Sequence, residues 1–208
     1  MPITGYILTI LIGYLLGSIP SGFLVAKARG VDIRTLGSGN IGATNVFRIL
    51  GTPAGTFVLF ADALKGWLAV AVVAELVGRR LLPGSSDLTR QWLAICGGVT
   101  AVLGHNYTCW LHFKGGKGIA TSAGVLLALV PWALVIILSI WILVIGFSRF
   151  VSLASISASA ALPFATWFTT GNLTLTSITG ALAALAIYKH KANIQRLRNG
   201  TENRLRKR

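Results

Sequence analysis

Charged residues are scarce in this chain of 208 residues, and acidic residues are the scarcest of them. Only 12% of the residues are charged, about half the share in an ordinary soluble domain, and 54% are hydrophobic. Two cysteines are too few for a disulfide-stapled secreted fold, and the sequence has no collagen-like Gly-X-Y repeat. The apolar content excludes intrinsic disorder. The composition therefore predicts an all-α, polytopic integral membrane protein.

The few charges are mostly basic: 19 lysines and arginines stand against five acidic residues, for a net charge of +14. In a soluble protein this balance would suggest a nucleic-acid partner. Membrane proteins, however, collect lysine and arginine in their cytoplasmic loops. We therefore expect membrane lipid as the surroundings of this chain and no nucleic-acid partner.

Six long apolar stretches can be read directly, and one of them is too long for a single span. The stretch at 118–147 would form a helix of about 45 Å, against a hydrocarbon core of about 30 Å, and Pro131 lies near its middle. A break there gives two short helices and seven spans in one domain, residues 1–208. The other stretches are residues 3–26, 50–77, 92–110, 151–168 and 173–188.

The distribution of positive charge predicts the orientation of these spans. If residues 27–49 are cytoplasmic, seven spans place 15 lysines and arginines inside and three outside. Six spans would put Arg149 and the basic tail, residues 189–208, on the opposite side from the early loops. We therefore expect the N-terminus outside and the C-terminus in the cytoplasm. The first segment lacks the basic start of a signal peptide and is too long for one, so it is expected to stay as a helix.

A glycine-rich segment, residues 37–48, is the first concentration of polar residues. Three glycines in six residues precede a threonine, an asparagine and an arginine. Glycines allow backbone N–H groups to approach an anion, and an arginine can add a bidentate grip on phosphate. A flexible polar loop is the alternative. The candidate residues here are Ser38, Gly39, Asn40, Gly42, Thr44, Asn45 and Arg48.

A second segment, residues 113–121, opens the fourth apolar stretch and also combines lysine with glycine. Lysine at a helix N-terminus suits phosphate, and the candidates are Gly115, Gly116, Lys117 and Gly118. The segment is not a Walker A loop, because residue 111 is leucine and glycine follows Lys117. A charged turn at the membrane interface is the alternative.

Ionisable residues also occur inside a span. Asp62 and Lys65 lie three residues apart, so they share a helix face and can offset the cost of about 2.5–3.5 kcal/mol for each buried charge. They form either part of a site or a structural ion pair. Ser152 and Ser155 join the polar group more weakly, since small hydroxyls also serve helix packing.

The C-terminal tail contributes the last polar segment. His190 and Asn193 share a helix face and can hydrogen-bond an anion or a hydroxyl, and Glu202 stands among many positive charges. A basic tail on anionic lipid is the alternative, but it explains neither the histidine and asparagine nor the glutamate.

Several kinds of chemistry are disfavoured. Five acidic residues argue against a carboxylate metal site, and His105, Cys109 and His112 lack a fourth ligand, so neither a metal nor a cofactor is expected. No Gly-x-Ser-x-Gly elbow is present, and no histidine is followed five residues later by aspartate. A site that binds anions but has few bases suits a substrate that brings its own leaving group, such as an acyl phosphate.

The same segments resemble the bacterial acyl-phosphate:glycerol-3-phosphate acyltransferase family along the whole chain. The resemblance implies a seven-helix enzyme of the bacterial inner membrane with a cytoplasmic active site. It implies transfer of a long-chain acyl group from acyl phosphate to the 1-position of glycerol 3-phosphate, giving lysophosphatidic acid and phosphate, by a substrate-assisted mechanism. The matching segments are residues 17–20, 37–48, 62–66, 103–105, 113–121, 151–155 and 190–202.

By position, the resemblance also implies roles for single residues. Ser38, Asn40, Arg48, Lys117, His190 and Asn193 would be catalytic, and Gly39, Gly42, Thr44, Asn45, Gly115, Gly116, Gly118, Ser155 and Glu202 would bind or support the substrates. Lys191 stands where the family usually has arginine, and the outer loop, residues 78–90, matches nothing. The main alternative is a transporter of an organic phosphate, which would need a site reachable from both sides. A lipid-scaffolding protein would leave residues 37–48 unexplained.

Overall fold

The computed structural model describes residues 2–205, and within that range it is helical without strands. The predicted all-α class is confirmed for this part of the chain. Arg206, Lys207 and Arg208 of the predicted basic tail lie outside the described residues. The α-helices are α1 Pro2–Ser18, α2 Ser21–Ala28, α3 Ala43–Leu50, α4 Thr52–Leu68, α5 Glu75–Leu81, α6 Asp87–Asn106, α7 Ile119–Leu129, α8 Pro131–Ser148, α9 Val151–Thr170, α10 Leu173–Lys189 and α11 Lys191–Arg198.

The predicted break at Pro131 is present. Helix α7 ends at Leu129 and α8 begins at Pro131, whose fixed φ and missing N–H suit the first position of a helix. Other stretches are also divided. The first is interrupted at Ile19 and Pro20, and the second contains a π-helical segment, Ala69–Ala74, between α4 and α5.

Four helical stretches of the described chain are long and apolar enough to cross a membrane: Ile3–Ala28, Thr52–Leu81, Pro131–Ser148 and Val151–Thr170. Two shorter apolar helices, α7 and α10, accompany them. These findings agree with an integral membrane protein, whereas seven spans and their orientation stay predictions.

The chain forms two compact units: unit 1 extends through Leu129 and unit 2 starts at Val130. In unit 1, α1 packs on α6, and α4 packs on α7 and α3. Side chains are absent where helices touch most closely, since a Cβ at Gly104 would clash with the Tyr14 carbonyl and one at Gly124 with the Ala63 carbonyl. In unit 2, α9 packs against α8 and α10, and α11 rests on α9. One domain over residues 1–208 remains a prediction.

Candidate active site

Residues 37–42 form a loop, here named the glycine loop, that leads into α3. Gly37 and Gly39 have φ angles of +59° and +68°, a region that residues with a Cβ rarely adopt. The buried Asn45 amide holds the loop, because its Oδ1 accepts a hydrogen bond from the Ser38 N–H at 3.0 Å. Its Nδ2 donates to the carbonyls of Ile33 and Leu36. Asn45, predicted to bind substrate, thus uses its amide on the backbone of the glycine loop and of the residues just before it.

Asn40 also acts within the glycine loop, since its Oδ1 accepts from the Gly42 N–H at 2.9 Å. Gly42 precedes α3 and supplies no side-chain cap to the first N–H groups of that helix. The two asparagines thus shape the backbone, and the glycines open the N-terminal end of α3 to an anion.

The exposed side of this segment carries Ser38, Thr44 and Arg48. Thr44 and Arg48 are four residues apart and share a face of α3. Nearby Arg34 is already paired with Asp32 at 2.7 Å, and the hydrogen bonds from Arg34 hold the pKa of Asp32 at about 2. Among residues 2–205, no carboxylate lies within ion-pair distance of Arg48. Arg48 is therefore the cation of this segment suited to an external anion.

The second predicted segment packs on the end of α6. Residues 115–118, here named the glycine turn, run directly into α7. The Gly115 N–H donates to the Asn106 carbonyl at 3.2 Å, and the Gly116 N–H donates to the His105 carbonyl at 3.0 Å. These two N–H groups, predicted as substrate contacts, are used to anchor the turn. Lys117 follows, half-buried, and Gly118 has a φ of +78°.

A buried ionic network lies in unit 1. Lys65 Nζ is 2.8 Å from Asp62 Oδ1, so the pair expected from the sequence does form. Asp62 Oδ1 is also 3.6 Å from His105 Nδ1, and the three side chains are only 2–6% exposed. His105 enters the sequence-based predictions as part of the matching segment 103–105 and as a weak candidate metal ligand, without a role in the site. The sequence signal for a role of His105 is its place in the last turn of α6, the helix end on which the glycine turn packs.

In unit 2 the Glu202 carboxylate is the centre of a second cluster. Its Oε1 accepts from Ser152 Oγ at 2.9 Å and from Asn193 Nδ2 at 2.8 Å, and its Oε2 accepts from Arg196 Nε at 2.7 Å. Burial raises the pKa of Glu202, but the hydrogen bonds from Asn193, Arg196 and Ser152 outweigh that effect, so the pKa lies below its ordinary value. Glu202 therefore ties α9 and α11 to the tail.

His190 and Ser155 are also buried in unit 2. His190 Nδ1 lies 2.7 Å from the Ala186 carbonyl, which can only accept, so Nδ1 carries the proton. Ser155 accepts a hydrogen bond from the Trp141 indole at 3.2 Å, which joins α8 and α9. The predicted site residues of unit 2 are thus held by packing and hydrogen bonds within the unit.

The predicted site residues are divided between the units. Unit 2 contains Ser155, His190, Asn193 and Glu202, and unit 1 contains the eleven others. Within residues 2–205, no group of three His, Cys, Asp or Glu side chains is placed to hold a metal ion.

Comparison with known proteins adds independent evidence. The sequence matches a family model described as glycerol-3-phosphate acyltransferase over residues 7–200. Glycerol-3-phosphate acyltransferase of Geotalea daltonii is 46% identical over 200 residues, which cover 96% of this chain and 97% of the relative. The protein of that name from Geobacter metallireducens is 51% identical over 191 residues, which cover 92% and 93%.

Solved structures agree with these matches. The crystal structure of PlsY (YgiH), an integral membrane glycerol 3-phosphate acyltransferase, in its glycerol 3-phosphate form superposes with a TM-score of 0.84 at 37% identity. That match covers 97% of this chain and 96% of the other. The lysophosphatidic acid form gives a TM-score of 0.82 at 36% identity, with 97% and 95% covered.

Proposed function

Because the chain belongs to the glycerol-3-phosphate acyltransferase family and is an acyltransferase, we propose that it forms lysophosphatidic acid from glycerol 3-phosphate and acyl phosphate. The 1-hydroxyl receives the acyl group, and inorganic phosphate is the second product. The family match extends over residues 7–200, so it includes every predicted site residue except Glu202. The relatives support this activity and give no support to the transporter alternative.

The observation that carries the proposal is the glycine loop with Arg48 beside it. Two glycines with positive φ and two internally bonded asparagines fix a backbone whose exposed side presents Ser38, Thr44 and an arginine without a carboxylate partner. Both proposed substrates are phosphate anions, and an exposed guanidinium beside hydroxyl groups on a fixed backbone matches such a ligand. Lys117 supplies a second positive charge in the glycine turn.

The chemistry needs little from the protein beyond binding. The hydroxyl oxygen of glycerol 3-phosphate attacks the acyl carbon, the bond from that carbon to the phosphate oxygen breaks, and the leaving phosphate takes the hydroxyl proton. Carboxylates that could act as a base are engaged: Asp62 is buried with Lys65, and Glu202 accepts three hydrogen bonds. A substrate-assisted reaction with orientation and charge stabilisation by the protein fits this arrangement.

The residues of unit 2 fit supporting roles in the same reaction. His190 and Asn193 are buried and fixed, so their side chains are suited to orient a hydroxyl or a phosphate rather than to move. Glu202 holds Asn193 in place, and Ser155 contributes a buried hydroxyl. We assign Glu202 a positioning role, because each oxygen of its carboxylate is occupied by donors of the protein.

The membrane arrangement of the proposal follows the positive-inside rule. The chain has seven spans in the inner membrane of a bacterium, with the N-terminus outside and the site facing the cytoplasm. The distribution of 15 lysines and arginines inside and three outside supports this orientation. The glycine loop, the glycine turn and the tail would then all reach water-soluble glycerol 3-phosphate from the cytoplasm.

Phosphate release by the purified protein in detergent micelles tests the proposal. The mixture contains palmitoyl phosphate with or without glycerol 3-phosphate, and palmitoyl-coenzyme A replaces the donor in a control. We expect release only when palmitoyl phosphate and glycerol 3-phosphate are both present, with lysophosphatidic acid detected in equal amount by mass spectrometry. Release without glycerol 3-phosphate, or no release from folded protein, would contradict the proposal. Equal formation of lysophosphatidic acid from the coenzyme A ester, which releases coenzyme A and no phosphate, would contradict it as well.

A further inference from the structure

The buried ionic network of unit 1 contacts the backbone next to the glycine loop and the glycine turn. Its three residues lie in neither segment. We infer that Asp62, Lys65 and His105 are positioning residues that set the placement of the glycine loop relative to the glycine turn. The inference rests on the proposed function, since it assigns these residues to the phosphate-binding geometry of that site.

The first arm of the network runs through Lys65 to the glycine loop. Lys65 Nζ donates to the Ile19 carbonyl at 2.8 Å, at the point where Pro20 separates α1 from α2. The Ile19 carbonyl also accepts the Ser21 N–H at 3.0 Å, so Lys65 is a second donor to this carbonyl at the break. Helix α2 begins directly afterwards, and its Gly22 lies so close to the Ile41 carbonyl of the glycine loop that a Cβ would clash. A shift of Lys65 therefore reaches the loop through two contacts.

The second arm runs through His105 to the glycine turn. Asp62 Oδ1 lies 3.6 Å from His105 Nδ1, and the His105 carbonyl accepts the Gly116 N–H at 3.0 Å. Gly116 also packs directly against the His105 ring, because a Cβ on Gly116 would clash with His105 Nε2. The ring therefore fixes the position of Gly116, which directly precedes Lys117.

Energetics favour a geometric role for these charges. A buried ion pair usually contributes little net stability compared with apolar side chains of similar volume, whereas removal of one partner leaves a costly unpaired charge. What the pair does provide is a fixed set of distances: one ammonium group holds both a carboxylate and a carbonyl at 2.8 Å. The network thus links two loops that the chain separates by more than 70 residues.

A pair of variants separates positioning from stability. Lys65→Met alone leaves the buried Asp62 carboxylate without its lysine, so both the melting temperature and turnover should fall. The double variant Asp62→Asn, Lys65→Met removes that charge and should regain melting temperature. It still lacks the bond to Ile19, so kcat/KM should stay about 100-fold low, as expected for a misplacement of about 1 Å.

Steady-state kinetics at a temperature well below unfolding provide the decisive measurement. Displaced phosphate-binding segments should raise the KM for glycerol 3-phosphate, whereas a fold defect would only lower the amount of active enzyme and leave KM unchanged. The matched control is Glu75→Gln, Arg79→Met, which removes the i, i+4 ion pair of α5, about 15–21 Å along the same helical stretch from Lys65. Its KM should match that of the wild type.

Wild-type kcat/KM in the folded double variant would overturn the inference. If that variant does not fold, His105→Gln decides, because it keeps the Asp62–Lys65 pair: a raised KM at unchanged melting temperature is expected, and an unchanged KM would overturn the inference. Failure of the wild type itself to release phosphate with glycerol 3-phosphate would instead contradict the proposed function. The two failures are therefore distinguishable.

Discussion

Units 1 and 2 use buried polar groups in different ways. In unit 1, Asn45, Asp62 and Lys65 are buried, and the Asn45 amide and the Lys65 ammonium group bond to the backbone, while Arg48 in α3 is exposed. In unit 2, the predicted catalytic residues His190 and Asn193 are themselves buried, and Asn193 donates a hydrogen bond to Glu202. Binding and stability should therefore be separable in unit 1 and coupled in unit 2.

The largest effect should come from the exposed cation of unit 1. Arg48→Ala should lower kcat/KM by about 100- to 1000-fold, because the proposed charge-assisted contact to phosphate would be lost. The melting temperature should not change, since the side chain is exposed and forms no ion pair within the described chain. Steady-state phosphate release and thermal unfolding of the same preparation measure both quantities.

Arg29→Ala is the control for Arg48, because Arg29 is also an exposed arginine, at the end of α2. It should keep near-wild-type turnover. A melting temperature lowered by Arg48→Ala in step with its activity would contradict the separation of binding from stability in unit 1.

The next largest effect should come from Glu202, since binding and stability are expected to be coupled in unit 2. Glu202→Gln should lower both turnover and melting temperature, because three donors lose a charged acceptor and each such hydrogen bond is worth about 1.5–3 kcal/mol. Phosphate release and thermal unfolding again provide the test. Asp87→Asn, an exposed carboxylate of unit 1, is the control and should change neither quantity much. Loss of turnover at wild-type melting temperature would break the comparison between the units.

The pH dependence of the melting temperature tests how much the ionised Glu202 carboxylate stabilises unit 2. The pKa of Glu202 is lower in the folded state than the ordinary value of 4.5, so its ionised form stabilises the fold. That stabilisation is complete above pH 4.5 and disappears as the pH falls through the lower folded-state pKa. The melting temperature of the wild type should therefore approach that of Glu202→Gln in acid. A difference between the two proteins that stays constant down to acid pH would contradict this assignment.

The smallest effect compares two glycines that share a left-handed backbone. Gly39 in the glycine loop and Gly30 after α2 have φ angles of +68° and +72°, so alanine should cost about 1–2 kcal/mol at either position. A Cβ on Gly39 would also lie 3.0 Å from the Arg34 carbonyl, whereas Gly30 has open space. Only Gly39→Ala should also lower turnover, by severalfold. Equal turnover of the two variants would show that the loop tolerates the added methyl group.

Part of this architecture could be predicted from local sequence. Helix length against membrane thickness, together with proline, predicted the break before α8, and the spacing of Asp62 and Lys65 predicted that they would meet. The same proline argument applies at Pro20, but the apolar run 3–26 predicted one helix, whereas α1 ends at Ser18 and α2 begins at Ser21. Glycine and arginine composition predicts anion binding at residues 37–48, and that site stays a prediction.

By itself, then, the sequence determined the membrane class, the break at Pro131 and the segments that present glycine, arginine and lysine. Only the tertiary structure decided that Asn45 holds the glycine loop, that His105 joins Asp62 across 43 residues, and that Glu202 bonds Ser152 across 50. The physical reason is that a hydrogen bond between distant residues depends on how helices pack, and helix packing is not encoded in the periodicity of any single segment.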